Sequence, residues 1–200
     1  MMNRREVLQA AAVSALPAIA RTPGAVHGMR TDGSARAALH AVLIDSRHAQ
    51  ARSVAAELTA RGVPVHSLKD GDITPLWARD IDPAWRVKPV TVAGLTERPA
   101  LFCLEQLGFT YGLRVVYHGE HIVEAGGRTR HALLRGASAV GLSVRQLERA
   151  GSLWPALIAE VFTKDRPETR RARVGRSEAA LAPCLPAGSH LLSSWIIARV

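Results

Sequence analysis

From residue 41 the chain alternates short apolar runs with amphipathic stretches. Ala41-Val42-Leu43-Ile44 is continuous and uncharged, as expected for a strand buried on both faces. Asp45-Ser46-Arg47 follows as a loop, with Ser46 placed to cap the next helix. In that helix Ala51, Val54, Ala55 and Leu58 recur at i, i+3, i+4 and i+7, and Gly62 ends it. Val63 to Leu68 reads as a second strand, with Pro64 marking an edge or a strand start. Asp70-Gly71-Asp72 is a turn. Thr74-Pro75 caps and opens a short helix that Asp82-Pro83 is expected to end after Ile81.

The same rhythm continues. Pro89 to Ala93 is a third strand, Gly94-Leu95-Thr96 a turn, and Thr96 the cap of a helix striped by Ala100, Cys103, Leu104, Leu107 and Tyr111. Leu113 to Tyr117 is a fourth strand. His118-Gly119-Glu120 then turns, with a hairpin through His121 to Val123 as one continuation. Gly126-Gly127 breaks the pattern. Ser143-Val144-Arg145-Gln146 is a capping box for a helix closed by Gly151, and Ser152 and Pro155 start another that carries Leu153, Leu157, Ile158, Val161 and Phe162. Residues 163 to 180 are charged and read as loop. Leu191 to Val200, built around Trp195-Ile196-Ile197, reads as a last strand joining the sheet. This alternation implies an α/β fold: a small doubly wound, flavodoxin-like or related, mostly parallel sheet with extra C-terminal helices and a C-terminal strand, forming one domain over 39–200.

The first residues follow another logic. Arg4 and Arg5 precede an uncharged, alanine-rich run from Val7 to Ala20, and Ala18-Ile19-Ala20 has the small-x-small form that signal peptidase cleaves, before Arg21. The run is shorter than the roughly 20 residues that span a bilayer. The stretch Asn3-Arg4-Arg5-Glu6-Val7-Leu8-Gln9 resembles a twin-arginine (Tat) export signal through its arginine pair and Leu8. That resemblance implies that the folded chain passes through the Tat machinery to the periplasm, leaving a flexible tether over 21–38 and no transmembrane anchor.

Charge sharpens this picture. The net charge is +9. Residues 40–123 carry nine Lys/Arg and nine Asp/Glu, whereas residues 128–176 carry eleven and four, so the basic character sits in the C-terminal half. An exported protein seldom meets nucleic acid, so an anionic ligand, an acidic partner or anionic lipid is the expected counterpart of that charge. Cys103 and Cys184 are a conceivable pair in an oxidising compartment. As part of the apolar stripe of its helix, Cys103 is also expected to be buried as a small hydrophobe.

Ligands of open parallel sheets bind beyond the carboxyl ends of the strands, where strand order reverses. With strand order 2-1-3-4, Ser46 and Arg47 face Thr96 and Arg98, with Asp45 and Asp72 nearby, and two guanidinium groups beside two helix starts suit a carboxylate or phosphate. Asp45, Asp70 and Asp72 offer hard oxygen ligands. His118, Glu120 and His121 are metal or acid–base candidates only if a turn redirects one histidine, because on a strand His118 and His121 face opposite sides. Trp77 and Trp85 flank Asp80 and Asp82, either closing a pocket or covering the sheet. No Gly-x-Gly-x-x-Gly, Walker or Gly-x-Ser-x-Gly motif occurs, so no cofactor or hydrolase type is indicated. These features together imply an exported binding or accessory protein. A small periplasmic enzyme with its site at the carboxyl edge, or an envelope-associated protein using its basic half, are the alternatives.

Overall fold

A computed structural model of the chain describes residues 39–164 and 185–200. The twin-arginine segment, the tether before Leu39, most of the charged stretch after Lys164, and Cys184 lie outside the described residues. The protein is α/β, with a six-stranded sheet of order β2-β1-β3-β6-β4-β5. The strands are β1 (Leu39–Asp45), β2 (Val65–Leu68), β3 (Thr91–Thr96), β4 (Leu113–Val123), β5 (Thr129–Arg135) and β6 (His190–Arg199). The helices are α1 (Ala49–Ala60), α2 (Thr74–Leu76), α3 (Asp82–Val87), α4 (Arg98–Phe109), α5 (Val144–Ala150) and α6 (Trp154–Thr163).

The sheet is mixed rather than mostly parallel. β1 pairs parallel with β2 and β3, as the strand–helix rhythm implies. β6 then enters antiparallel between β3 and β4, and β5 pairs antiparallel with the outer side of β4. β1, β2, β3 and β4 still run in one direction, so their carboxyl ends share one edge of the sheet. The expected neighbours β1 and β3 are adjacent. The expected contact of β3 with β4 is replaced by β6, whose ladder partners lie tens of residues away in sequence.

Helices cover both faces. α1, α5 and α6 bury one core with Val42, Ile44, Leu95, Tyr117 and Ile196. The α2–α3 segment and α4 bury the other with Leu43, Val92, Val115, Trp195 and Ile197. β3 is buried along its whole length, and β6 over seven consecutive residues, because both strands lie inside the sheet with helices above and below.

Several local expectations change for physical reasons. β4 does not turn at His118-Gly119-Glu120 but runs on to Val123, since β6 and β5 hold it from both sides. The turn comes at 124–128, where Gly127 takes a φ of +81° and β5 completes a hairpin. Asp82-Pro83 does not end its helix. A π-helical turn over Trp77–Ile81 lets the Asp82 N–H reach back to the Trp77 carbonyl, and Pro83 falls in the first turn of α3, where its missing N–H is tolerated. α1 is preceded by His48 rather than capped by Ser46, and α4 by Glu97 rather than Thr96. The Thr96 hydroxyl instead donates to the Glu97 carbonyl. At α2 the N-cap position is Ile73 rather than Thr74, and the Asp72 carboxylate before it accepts from the Thr74 N–H at 2.8 Å. Cys103 is exposed, not buried, because α4 buries Ala100, Leu101, Leu104 and Gly108. Trp85 covers the sheet, buried with its indole N–H on the Val90 carbonyl, and Trp77 packs against its edge. The capping box at Ser143 and Gln146 is present as read.

Gly94 shows how β6 is seated. It lies inside β3 rather than in a turn, opposite Trp195. A Cβ there would lie 2.4 Å from the indole and 2.8 Å from the Leu43 carbonyl oxygen. The indole therefore occupies the space a side chain would need, and its N–H donates to Thr96 Oγ1. Gly94→Ala is expected to cost about 2–3 kcal/mol of unfolding free energy through overpacking. Urea unfolding checks this, and wild-type stability of the variant would contradict the close seating of Trp195.

Candidate functional site

The carboxyl edge gathers charge around one buried carboxylate. Asp45, the last residue of β1, is fully buried. Burial alone would raise its pKa. The hydrogen bonds and charge supplied by Arg47, with His48 nearby, outweigh that cost and hold the carboxyl below its ordinary value. Arg47 donates Nε to Oδ1 at 2.9 Å, Nη2 to Oδ2 at 2.6 Å, and its backbone N–H to Oδ1 at 3.3 Å. The same Nη2 lies 3.1 Å from Glu97 Oε2, which joins the end of β1 to the end of β3. His48 Nε2 sits 3.0 Å from Glu97 Oε1 and 3.8 Å from Asp45 Oδ2. The His48 ring stacks on His190, the first residue of β6, at 4.5 Å. The turn after β2 closes over the guanidinium: Gly71 has a φ of +77°, and a Cβ on it would meet Arg47 Nη2 at 2.6 Å.

This arrangement brings together part of what the sequence implied. Asp45 and Arg47 lie at the reversal of strand order, and the residues that follow β3 are beside them. Yet the two arginines are not open cationic groups. Arg47 holds Asp45 and Glu97, and Arg98 Nη1 holds Glu120 Oε1 at 2.8 Å. Ser46 contributes its carbonyl, which accepts from Arg52, while Thr96 serves Trp195. Asp72 lies apart, on a shallow groove of about 300 Å³ at the β2 side with His66, Lys69 and Arg79. With neutral imidazoles, the Asp45–Arg47–Glu97 group carries one surplus negative charge.

His118, Glu120 and His121 do not converge. They stay on a strand, and its pleat separates them. Glu120 turns toward α4 and Arg98. His118 lies on that same face, with Nε2 buried and without a hydrogen-bond partner, and burial followed by the charges of Arg98 and Arg135 lowers its pKa to about 4. His121 points to the other face and enters a buried polar chain. Its Nδ1 lies 2.8 Å from His131 Nδ1, its Nε2 lies 2.8 Å from Ser194 Oγ, and Ser194 Oγ lies 3.0 Å from the Tyr117 hydroxyl. Trp154, at the start of α6, stacks on His121 at 4.4 Å and meets His131 edge-on. His131 also lines a cleft of about 470 Å³ between the hairpin turn and the end of α5.

Glu97 lies in the edge stretch Gly94–Arg98, and His131 stands ten residues beyond the His118–His121 group, so the sequence points to both; His48, His190 and Ser194 it does not mark. His48 directly follows the loop Asp45-Ser46-Arg47. Ser193-Ser194, two small polar residues inside an apolar run, is the signal in β6. Comparison with protein-family models, curated proteins and solved structures finds no match for this chain.

The buried histidines set a pH dependence. Burial drives His131 to about 4, and burial with its two histidine neighbours holds His121 well below its ordinary value. The unfolded chain takes up protons on these rings near pH 6.5 and the folded chain does so only at lower pH. The unfolded state therefore binds more protons between the two values. Stability is full above about pH 6.5 and falls as pH drops toward 4. Urea unfolding is expected to show a loss of about 1–2 kcal/mol per buried histidine between pH 7 and pH 5. The His121→Gln/His131→Asn variant, whatever its stability at pH 7, should show a flatter pH dependence, and an unchanged slope would contradict this assignment.

Proposed function

We propose that the chain is exported in folded form by the twin-arginine route and works in the periplasm as a binding or accessory protein, through the carboxyl edge of its sheet. The observation that carries this reading is the convergence of Asp45, Arg47, His48, Glu97 and His190 where β1, β3 and β6 meet. Strand-order reversal there opens a crevice between neighbouring loops. The more exposed Arg47 and Glu97 at this edge suit recognition of a partner or ligand at the surface. An anionic ligand would engage Arg47 or Arg98 by displacing a carboxylate, with the more exposed Glu97 the easier to exchange.

A partner protein has a surface available as well. Phe102 and Phe109, seven residues apart on α4, are 60% and 63% exposed, and such an apolar stripe is what a partner covers. A second reading, a small enzyme at the same edge, is favoured by His48, which Glu97 holds in the manner of a positioned acid–base group.

Cell fractionation tests the export half of the proposal. Wild-type protein is expected in the periplasm with its N-terminus at Arg21, and Arg4→Lys/Arg5→Lys is expected to remain unprocessed in the cytoplasm. Equal periplasmic yields would contradict it. Native mass spectrometry of the periplasmic protein tests the binding half. A bound small molecule or partner that is lost from Glu97→Gln or from Phe102→Ser/Phe109→Ser is the expected result, and bare wild-type protein the contrary one.

A further inference from the structure

We infer that Asp45, His48 and Glu97 form a binding site for a divalent transition metal of the zinc type. The inference rests on the carboxyl edge being the working end of the protein. One donor atom from each residue lies within 4.8 Å of the other two. The His48 Nε2 separations, 3.0 Å to Glu97 and 3.8 Å to Asp45, bracket the spacing of about 3.3 Å between neighbouring ligands that metal–ligand bonds of about 2.0–2.1 Å give in a tetrahedron. One imidazole nitrogen with two carboxylate oxygens is a donor set that zinc and its neighbours accept, and three protein ligands leave a fourth position open.

Three further observations point the same way. The donors come from the ends of two adjacent strands, and Asp45 is held in place by three hydrogen bonds from Arg47, the kind of outer support that orients metal ligands. The group carries surplus negative charge, so a dication lowers the net electrostatic cost of the site. His190 stacks on His48 with its Nε2 buried and without a hydrogen-bond partner, a second imidazole nitrogen on the same wall.

Arg47 is the competitor. Its Nη2 contacts one oxygen of each carboxylate, so the guanidinium neutralises the site when no metal is bound. Metal binding at Asp45 Oδ2 leaves Nε on Oδ1 and requires Nη2 to move off both carboxylates, toward the solvent to which the side chain is 42% exposed.

Titration of the chelator-stripped full chain with Zn²⁺ and Co²⁺ tests this. One metal ion per chain is expected, with the visible absorption of tetrahedral Co²⁺ appearing on addition and disappearing when Zn²⁺ displaces it. His48→Gln and Glu97→Gln should each weaken binding by about tenfold or more. Glu97 is half-buried and His48 largely buried, so an unchanged near-ultraviolet circular dichroism spectrum confirms that each variant is folded before its metal binding is read. His66→Gln, which alters the separate His66–Asp80 pair, should bind as wild type does. Arg47→Ala should gain a larger thermal shift from Zn²⁺ than wild type, because the metal then takes over neutralisation of Asp45. No stoichiometric uptake, or uptake that survives both His48→Gln and Glu97→Gln, would overturn the inference. Uptake lost only in His121→Gln would assign the metal to the buried histidine pair and overturn it too. A chain that is exported through Arg4 and Arg5 but takes no metal overturns this inference alone. One that binds metal through His48 and Glu97 but stays in the cytoplasm overturns the export reading alone.

Discussion

The fold depends on one insertion: β6 runs antiparallel between β3 and β4. Without it, β1, β2 and β3 would be a small parallel sheet with an open edge, and β4–β5 a hairpin with nothing beside it. Neither is large enough to be secure by itself. β6 supplies backbone partners to both, over five residue pairs with β3 and a longer ladder with β4. Its side chains divide between the two cores. Ile196 packs with α1 and α6, while Trp195 and Ile197 pack with α4 and the α2–α3 segment. Trp195 lying over Gly94 fixes the register, since a one-residue slip would send every side chain of β6 to the wrong face.

The same strand organises the polar groups. Ser194 faces the His121–His131 pair, Ser193 lies on the opposite face in register with Thr96 and Glu120, and His190 extends past the end of β3 to meet His48. The carboxyl edge is thus built from the ends of β1 and β3 on one side and the start of β6 on the other. Asp45 sets its electrostatics. A fully buried carboxylate without a partner would cost several kcal/mol, so Arg47 must accompany it. The guanidinium, placed there, also attracts Glu97, and Glu97 positions His48. One buried charge at a strand end accounts for the order of the whole cluster.

Much of the local architecture is legible in the sequence, because it is written in local patterns. The apolar run 41–44, the stripe of α1, the Ser143–Gln146 box and the apolar C-terminal strand appear where the residues place them. What escapes is set by distant partners. The direction and position of β6 depend on ladders with strands tens of residues away. Gly94 looks like a turn residue until Trp195 is seen above it, and His118-Gly119-Glu120 looks like a turn until β6 and β5 straighten it. Cys103 falls on the exposed side of α4 because Trp85 and Ile197 pack closely onto Gly108, which turns that face of the helix inward. At the site, Asp45, Arg47 and Arg98 are readable as edge residues. Their pairing with Glu97 and Glu120 is not, since it crosses from one strand to another.

If β6 joins the two halves into one cooperative unit, the amides on both sides of it should open together. Native-state hydrogen exchange measures this directly. β1 and β3 on one side and β4 on the other are expected to exchange with the same, global, free energy of opening. A β4–β5 hairpin that exchanges at much lower free energy, while β1 and β3 stay protected, would contradict the account.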